Sequence, residues 1–170
     1  MDFKSYIRDI KDFPKKGIIF KDITPLLKDK NALKATNQAL FDLVGGRAID
    51  KVVGMESRGF FFAPLLAEKL GAGFVPVRKA GKLPHETIGE AYSLEYGNDL
   101  LEIHKDSIKK GERIVIHDDV LATGGTAKAV CELIERLGGE IVQCNFLIEL
   151  DFLNGKDKLG SYDVQSLLHY

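Results

Sequence analysis

The segment Arg-Ile-Val-Ile-His-Asp-Asp-Val-Leu-Ala-Thr-Gly-Gly-Thr-Ala-Lys, from Arg113 to Lys128, constrains the fold of this chain more than any other. An apolar run of strand length, Arg113 to His117, meets two adjacent carboxylates and then a turn of small residues. Val130, Leu133, Ile134 and Leu137 follow at the spacing of one helix face, and Gly138-Gly139 stops the helix. A helix start exposes free backbone N–H groups at the positive end of its dipole, and together these hold a phosphate. Thr123 to Thr126 carry little side-chain bulk, so a phosphate can approach the backbone closely, and both Thr hydroxyls can donate. Asp118 and Asp119 place acceptors just before this cradle, where the hydroxyls of a sugar would sit. Phosphate plus vicinal hydroxyls indicates a ribose phosphate.

Two other phosphate cradles are excluded. No segment supplies Gly-x-x-x-x-Gly-Lys-Ser/Thr, the loop that wraps nucleoside triphosphates. Gly-x-Gly-x-x-Gly is also missing, and here the carboxylates precede the turn instead of following it at a distance.

With 170 residues, 45% of them hydrophobic, the chain suits a single α/β domain with a sizeable core. A net charge of −1 gives no global attraction to nucleic acid or anionic membranes, so anion binding must come from local groups. The apolar run Gly59 to Ala67 is interrupted by Pro64 and far too short for a membrane span, and no secretory signal is visible. Cys131 and Cys144 read as small buried hydrophobes of a reducing compartment, and the expected location is the cytoplasm.

Apolar strands alternate with helices, which argues for a mainly parallel sheet covered on both faces. Asp2 to Ile10 reads as a short helix closed at Phe13-Pro14. Asn31 caps a helix whose Leu33, Thr36, Leu40 and Val44 share a face, ending at Gly45-Gly46. Strands are expected at Lys51 to Met55, Gly73 to Val77, Arg113 to His117 and Glu140 to Leu150, with a helix over Phe61 to Leu70. Lys79 to Ala91 has two glycines, a proline and no period, and reads as a long mobile loop. Two strands of an antiparallel excursion follow, Tyr92 to Tyr96 and Leu100 to His104. Ile18 to Phe20, and Phe60 to Phe62, taken by periodicity alone, read as core.

The string Asp-Asp-x-x-Ala-Thr-Gly-Gly-Thr closely resembles the phosphoribosyl-pyrophosphate motif of type I phosphoribosyltransferases. It stands in one order with Phe13 to Pro25, Glu56-Ser-Arg-Gly-Phe60, Val77 to Pro84 and Tyr92-Ser-Leu-Glu-Tyr-Gly97. In that order the segments resemble the adenine phosphoribosyltransferase family, from about Phe13 to the end of the chain. The resemblance implies a type I phosphoribosyltransferase fold, a mainly parallel sheet flanked by helices, with a small hood from residues 1–30 and a flexible lid loop. It implies purine salvage, in which adenine and phosphoribosyl pyrophosphate give AMP and pyrophosphate.

The resemblance assigns ribose-phosphate binding to Asp118, Asp119, Ala122, Thr123, Gly124, Gly125 and Thr126, and pyrophosphate binding to Ser57, Arg58, Arg78, Lys79 and Lys82. It also implies a cis Glu56–Ser57 peptide. Adenine falls to Ile19 and Lys21 through their main chain, to Phe20 by stacking, and to Leu150 as a pocket wall. Glu95 matches the family's catalytic carboxylate, which moves a proton at the imidazole edge of the base. Tyr96 beside it either contacts substrate or packs. Mg²⁺ is implied as a cofactor held mainly by substrate oxygens and water, with no dedicated protein site. A homodimer is implied too, with neither nucleic acid nor membrane as a partner. His117 stands where the family usually has an apolar residue, and strand alternation turns it away from Asp118 to pack. Lys16 replaces a frequent proline. A different purine base within the same class, or a non-catalytic phosphoribosyl-pyrophosphate sensor, are the alternatives. Ile141 to Leu150 lacks a lysine to read a purine oxygen, and the retained Glu95, Arg58, Arg78 and Lys79 favour turnover.

Overall fold

The computed structural model describes residues 1–93 and 98–170, and these divide into two compact units, residues 1–39 and 40–170. In the first unit, strands β1 (Arg8–Lys11) and β2 (Ile19–Asp22) form an antiparallel pair. Ion pairs from Arg8 to Asp22 (2.6 Å) and from Lys21 to Asp9 (2.8 Å) lie across it. The helix expected over Asp2 to Ile10 is therefore corrected to one 3-10 turn, Phe3–Tyr6, followed by β1. Asp2 accepts from the Lys4 N–H and holds that turn, but pairing with β2 claims the residues beyond. Helix α1 (Thr24–Lys28) leads into α2 (Lys30–Val44). The cap of α2 is Asp29, not Asn31: its carboxylate accepts from the N–H groups of Asn31 and Ala32, both at 2.9 Å. Ala32, Thr36, Leu40 and Val44 recur every four residues and are fully buried.

The second unit is built on a seven-stranded sheet. Its strands are β3 (Lys51–Met55), β4 (Gly73–Lys79), β5 (Thr87–Ser93), β6 (Asn98–His104), β7 (Arg113–Leu121), β8 (Glu140–Glu149) and β9 (Val164–His169), in the order β5-β6-β4-β3-β7-β8-β9. From β4 to β9 every pairing is parallel; β6 runs antiparallel to β4 and to β5. Helices cover both faces. On one, α3 (Ala63–Leu70) brings Ala63 so close to Gly54 that a Cβ there would meet Ala63 Cβ at 2.8 Å. On the other, Val130, Leu133 and Ile134 of α4 (Gly125–Leu137) join Val53, Met55, Ile114, Ile116 and Phe146 in the main core. Cys131 and Cys144 are buried in that core as free thiols, with their sulfurs 3.8 Å apart.

The expected mixed α/β architecture with a mostly parallel sheet is observed, with four local corrections. The segment Lys79 to Ala91 is no long loop: β4 runs to Lys79, and β5 resumes at Thr87, pairing Ile88 with Ile103 of β6. The strand expected over Tyr92 to Tyr96 belongs to β5 up to Ser93, and its remainder lies outside the described residues. The helix expected from Phe61 begins at Ala63, after a 3-10 turn over Arg58–Phe61. Phe62 is fully buried as expected, whereas Phe61 is exposed. Finally, β7 continues through both carboxylates to Leu121, and β9 was not foreseen.

Candidate active site

Parallel strands β3, β4, β7 and β8 end on one edge of the sheet, and the candidate residues of the second unit collect there. At the end of β7 the chain turns through residues 122–124 into α4, thirteen residues long. Gly124 adopts a left-handed φ of 78°, which glycine tolerates and other residues resist. It also lies against a second glycine: a Cβ on Gly124 would sit 2.2 Å from the Gly155 carbonyl oxygen. A Cβ on Gly155 would sit 2.1 Å from the carbonyl oxygen of Ala122. Two backbones in contact thus shape the floor of the turn. A cavity of about 80 Å³ adjoins it, lined by Asp118 and residues 122–127 together with Met55 and Phe146.

Asp118 and Asp119 leave β7 on opposite sides. The Asp118 carboxylate accepts from the Asp119 N–H at 2.8 Å and borders the cavity. Burial and the neighbouring Asp119 charge raise its pKa well above the ordinary carboxylate range. Asp119 is buried and ion-paired with Arg58; burial raises its pKa, and the guanidinium opposes part of that rise. Gly59 lets the Arg58 turn lie against β7, since a Cβ there would meet the His117 carbonyl oxygen at 2.9 Å. The Glu56–Ser57 peptide is cis, as the resemblance implied, and Ser57 is exposed.

Arg78, Lys79 and Lys82 gather around one carboxylate. Glu56 accepts from Lys82 Nζ (2.8 Å), from the Lys79 N–H (2.8 Å) and from Arg78 Nη2 (3.4 Å). Its burial favours the neutral form, but these donors outweigh burial and bring its pKa down to about 2. The Lys79 ammonium reaches Asp99 at 2.9 Å, and the same carboxylate accepts from the Tyr92 hydroxyl at 3.3 Å. Each basic side chain assigned to pyrophosphate is therefore paired with a carboxylate of its own unit.

His117 is buried on the face away from Asp118, as alternation implied. Asn145 donates to Leu40 O and to Gln143 Oε1, so its Oδ1, 3.0 Å from His117 Nδ1, accepts and Nδ1 carries the proton. Burial pushes the imidazole pKa down to about 4, which leaves it neutral at physiological pH.

Of the residues expected for adenine, Leu150 follows β8 and donates its N–H to Leu121 O at 3.0 Å, beside the cradle turn. Ile19, Phe20 and Lys21 form β2 in the other unit. There Ile19 is exposed, Phe20 meets the Phe13 ring edge-on at 5.1 Å, and Lys21 pairs with Asp9. Glu95 and Tyr96 lie outside the described residues. The sequence reading overlooked Glu56, Asp99 and Gly155. The position of Glu56 directly before Ser57-Arg58 was a usable signal for the first. The other two reach the site only through chain contacts far apart in sequence.

The turn before α4, the adjacent carboxylates of β7 and a cluster of ion-paired cations thus lie together at one edge of the sheet. A family model for the phosphoribosyl transferase domain matches residues 22–165. The chain is 65% identical over its whole length to an adenine phosphoribosyltransferase of Christiangramia forsetii, covering 99% of that protein. Against one of Flavobacterium johnsoniae it is 62% identical, with complete coverage of both. Among solved structures, the adenine phosphoribosyltransferase of Thermoanaerobacter pseudethanolicus superimposes with a TM-score of 0.97 at 53% identity, covering 99% of this chain and 98% of that one. The Saccharomyces cerevisiae enzyme, complexed with adenine and an imino-altritol bisphosphate, superimposes with a TM-score of 0.93 at 44% identity, covering 98% and 97%. The chain belongs to the phosphoribosyltransferase family and, within it, to the adenine phosphoribosyltransferases.

Proposed function

We propose that this protein transfers the phosphoribosyl group of phosphoribosyl pyrophosphate to adenine, releasing AMP and pyrophosphate in purine salvage. The observation that carries the reading is the joining, on one sheet edge, of the Asp118 to Thr126 cradle with the cations of Arg58, Arg78, Lys79 and Lys82. The 5-phosphate enters the cradle and meets the N–H groups at the start of α4, with the Thr123 and Thr126 hydroxyls as further donors. Asp118 and Asp119 accept from the ribose hydroxyls.

Breaking the bond to pyrophosphate builds positive charge on the anomeric carbon and negative charge on the leaving oxygen. Fixed cations beside that oxygen stabilise charge that grows only as the bond breaks, and so they accelerate the reaction. Arg58 and Arg78 offer forked donors, Lys79 and Lys82 point charges, and Ser57 a hydroxyl. Glu95 shuttles the proton at the imidazole ring of adenine, and Ile19, Phe20, Lys21 and Leu150 recognise the base. Asp119 is taken by Arg58 and Asp118 borders the cavity, so these residues would leave a Mg²⁺ to be held mainly by substrate oxygens and water. When bound, the ion would neutralise part of the pyrophosphate charge. The reading also carries a cytoplasmic location and a homodimer, which light scattering tests; among the described residues no helix is long and apolar enough to cross a membrane.

The deciding experiment incubates the protein with phosphoribosyl pyrophosphate, Mg²⁺ and each purine base, then measures nucleotide by chromatography. Adenine is expected to give AMP. Preference for hypoxanthine or guanine would overturn the base assignment, and binding of phosphoribosyl pyrophosphate without turnover would favour a sensor.

A further inference from the structure

We infer that Glu56 is a positioning residue of the pyrophosphate subsite: its carboxylate draws the Arg78 to Lys82 turn together and aims two of its cations outward. The inference rests on the assignment of that turn to pyrophosphate. Glu56 directly follows β3, and Arg78 to Lys82 form the end of β4 and the turn after it, so the contacts join chain segments more than twenty residues apart. One carboxylate there takes a backbone N–H, an ammonium and a guanidinium at once.

The exposures run in opposite directions. The Glu56 side chain is 8% exposed, whereas those of Arg78 and Lys82 are 34% and 49% exposed. The anion lies inside and the cations face out. A guanidinium has five N–H donors and an ammonium three, so donors remain on both after Glu56 and the Lys82 carbonyl have been served. Held from behind, the two side chains lose less rotamer freedom when an anion arrives. Lys79 is anchored differently, its N–H on Glu56 and its ammonium on Asp99.

The same contacts allow an opposite role, in which Glu56 occupies the anion site and competes with substrate. The two differ in sign. Removing a competing negative charge tightens anion binding, and the long-range Coulomb change from that removal acts in the same direction. Removing a scaffold weakens binding in spite of the extra positive charge.

Calorimetric titration of magnesium pyrophosphate into the full-length chain separates them. Glu56→Gln keeps the shape but turns an amide toward the cations, and is expected to weaken pyrophosphate binding about tenfold, the loss of charge-assisted hydrogen bonds. KM for phosphoribosyl pyrophosphate should rise in parallel, while ribose 5-phosphate, held by the cradle, keeps its affinity within about twofold. Glu56→Asp, with the charge withdrawn by one methylene, should recover part of the loss and also serves if the Gln variant does not fold. Unchanged or tighter pyrophosphate binding in both variants would overturn the inference. Arg78→Ala and Lys82→Ala test the assignment beneath it. If they leave pyrophosphate binding intact, the subsite assignment fails; if they abolish it while the Glu56 variants do not, only the role of Glu56 falls.

Discussion

The substitution Gly155→Ala reaches the cradle from a residue that is not itself expected to meet a ligand. Gly155 opens a 3-10 turn over Gly155–Leu159, and its added Cβ would lie 2.1 Å from the Ala122 carbonyl oxygen and 3.0 Å from the Gly124 N. Carbon and oxygen do not approach so closely without a bond, so the two segments must part by roughly 1 Å. Both obstacles are backbone, and no side chain can swing aside. The φ of Gly155 is not left-handed, so the cost is one of space alone. Overpacking of this kind costs about 1–3 kcal/mol of stability, and a displacement of about 1 Å at a positioned site can cost about 10²-fold in rate. Steady-state kinetics with varied phosphoribosyl pyrophosphate, well below the midpoint of thermal unfolding, should show kcat/KM down by about that factor. Ribose 5-phosphate affinity should fall with it. Asp157→Ala, exposed on the same turn, should change neither. Wild-type kinetics and melting temperature for Gly155→Ala would refute the reasoning, because the backbones would then have room that the contact denies them.

Arg58→Met leaves the buried Asp119 without its guanidinium, and breaking a buried pair costs about 3–5 kcal/mol. Burial then raises the Asp119 pKa further, so the deficit is full above that raised value and shrinks as the pH falls toward the unfolded carboxylate range. Thermal melts should show a larger gap from wild type at pH 8 than at pH 5. Glu56 works in the other direction: held at about 2 against an ordinary 4.5, it contributes stability above pH 4.5 that is lost as the pH falls toward 2. Acid unfolding through that window should be steeper for wild type than for Glu56→Gln, and parallel curves would contradict it. His117→Leu strands the Asn145 Oδ1 acceptor and should cost about 1–3 kcal/mol in chemical denaturation while kcat stays near wild type. Glu95→Ala should lower kcat by about 10²–10⁴-fold if the carboxylate moves the proton, and near-normal turnover would remove it from the mechanism.

Legibility in the sequence followed the range of the interactions. The cradle was readable because its parts are neighbours: the carboxylates, small residues, helix start and stopping glycines all lie between Asp118 and Gly139. Strand alternation likewise turned His117 away from Asp118 correctly, although its bond to Asn145 spans twenty-eight positions and left no local trace. Where pairing was distant, the local reading failed. Asp2 to Ile10 has enough helical character for one turn, but β2 draws Arg8 to Lys11 into a strand. Thr87 to Ala91 shows no period of its own and becomes part of a strand because β6 supplies its partners.

By itself, then, the amino-acid order determined the alternation of apolar strands with helices and the paired carboxylates and small-residue turn at the end of β7, since those features rest on residues that are neighbours in sequence. Tertiary structure alone decided what surrounds the cradle. It set Gly155 beneath Gly124 at a distance no Cβ can share, and closed Arg58 onto Asp119. It also turned Glu56, an acid at the edge of a basic motif, into the centre around which the cations of Arg78 and Lys82 collect. The physical reason is common to all three. Close packing and buried charge act through space, and which residues they join depends on how the strands pair.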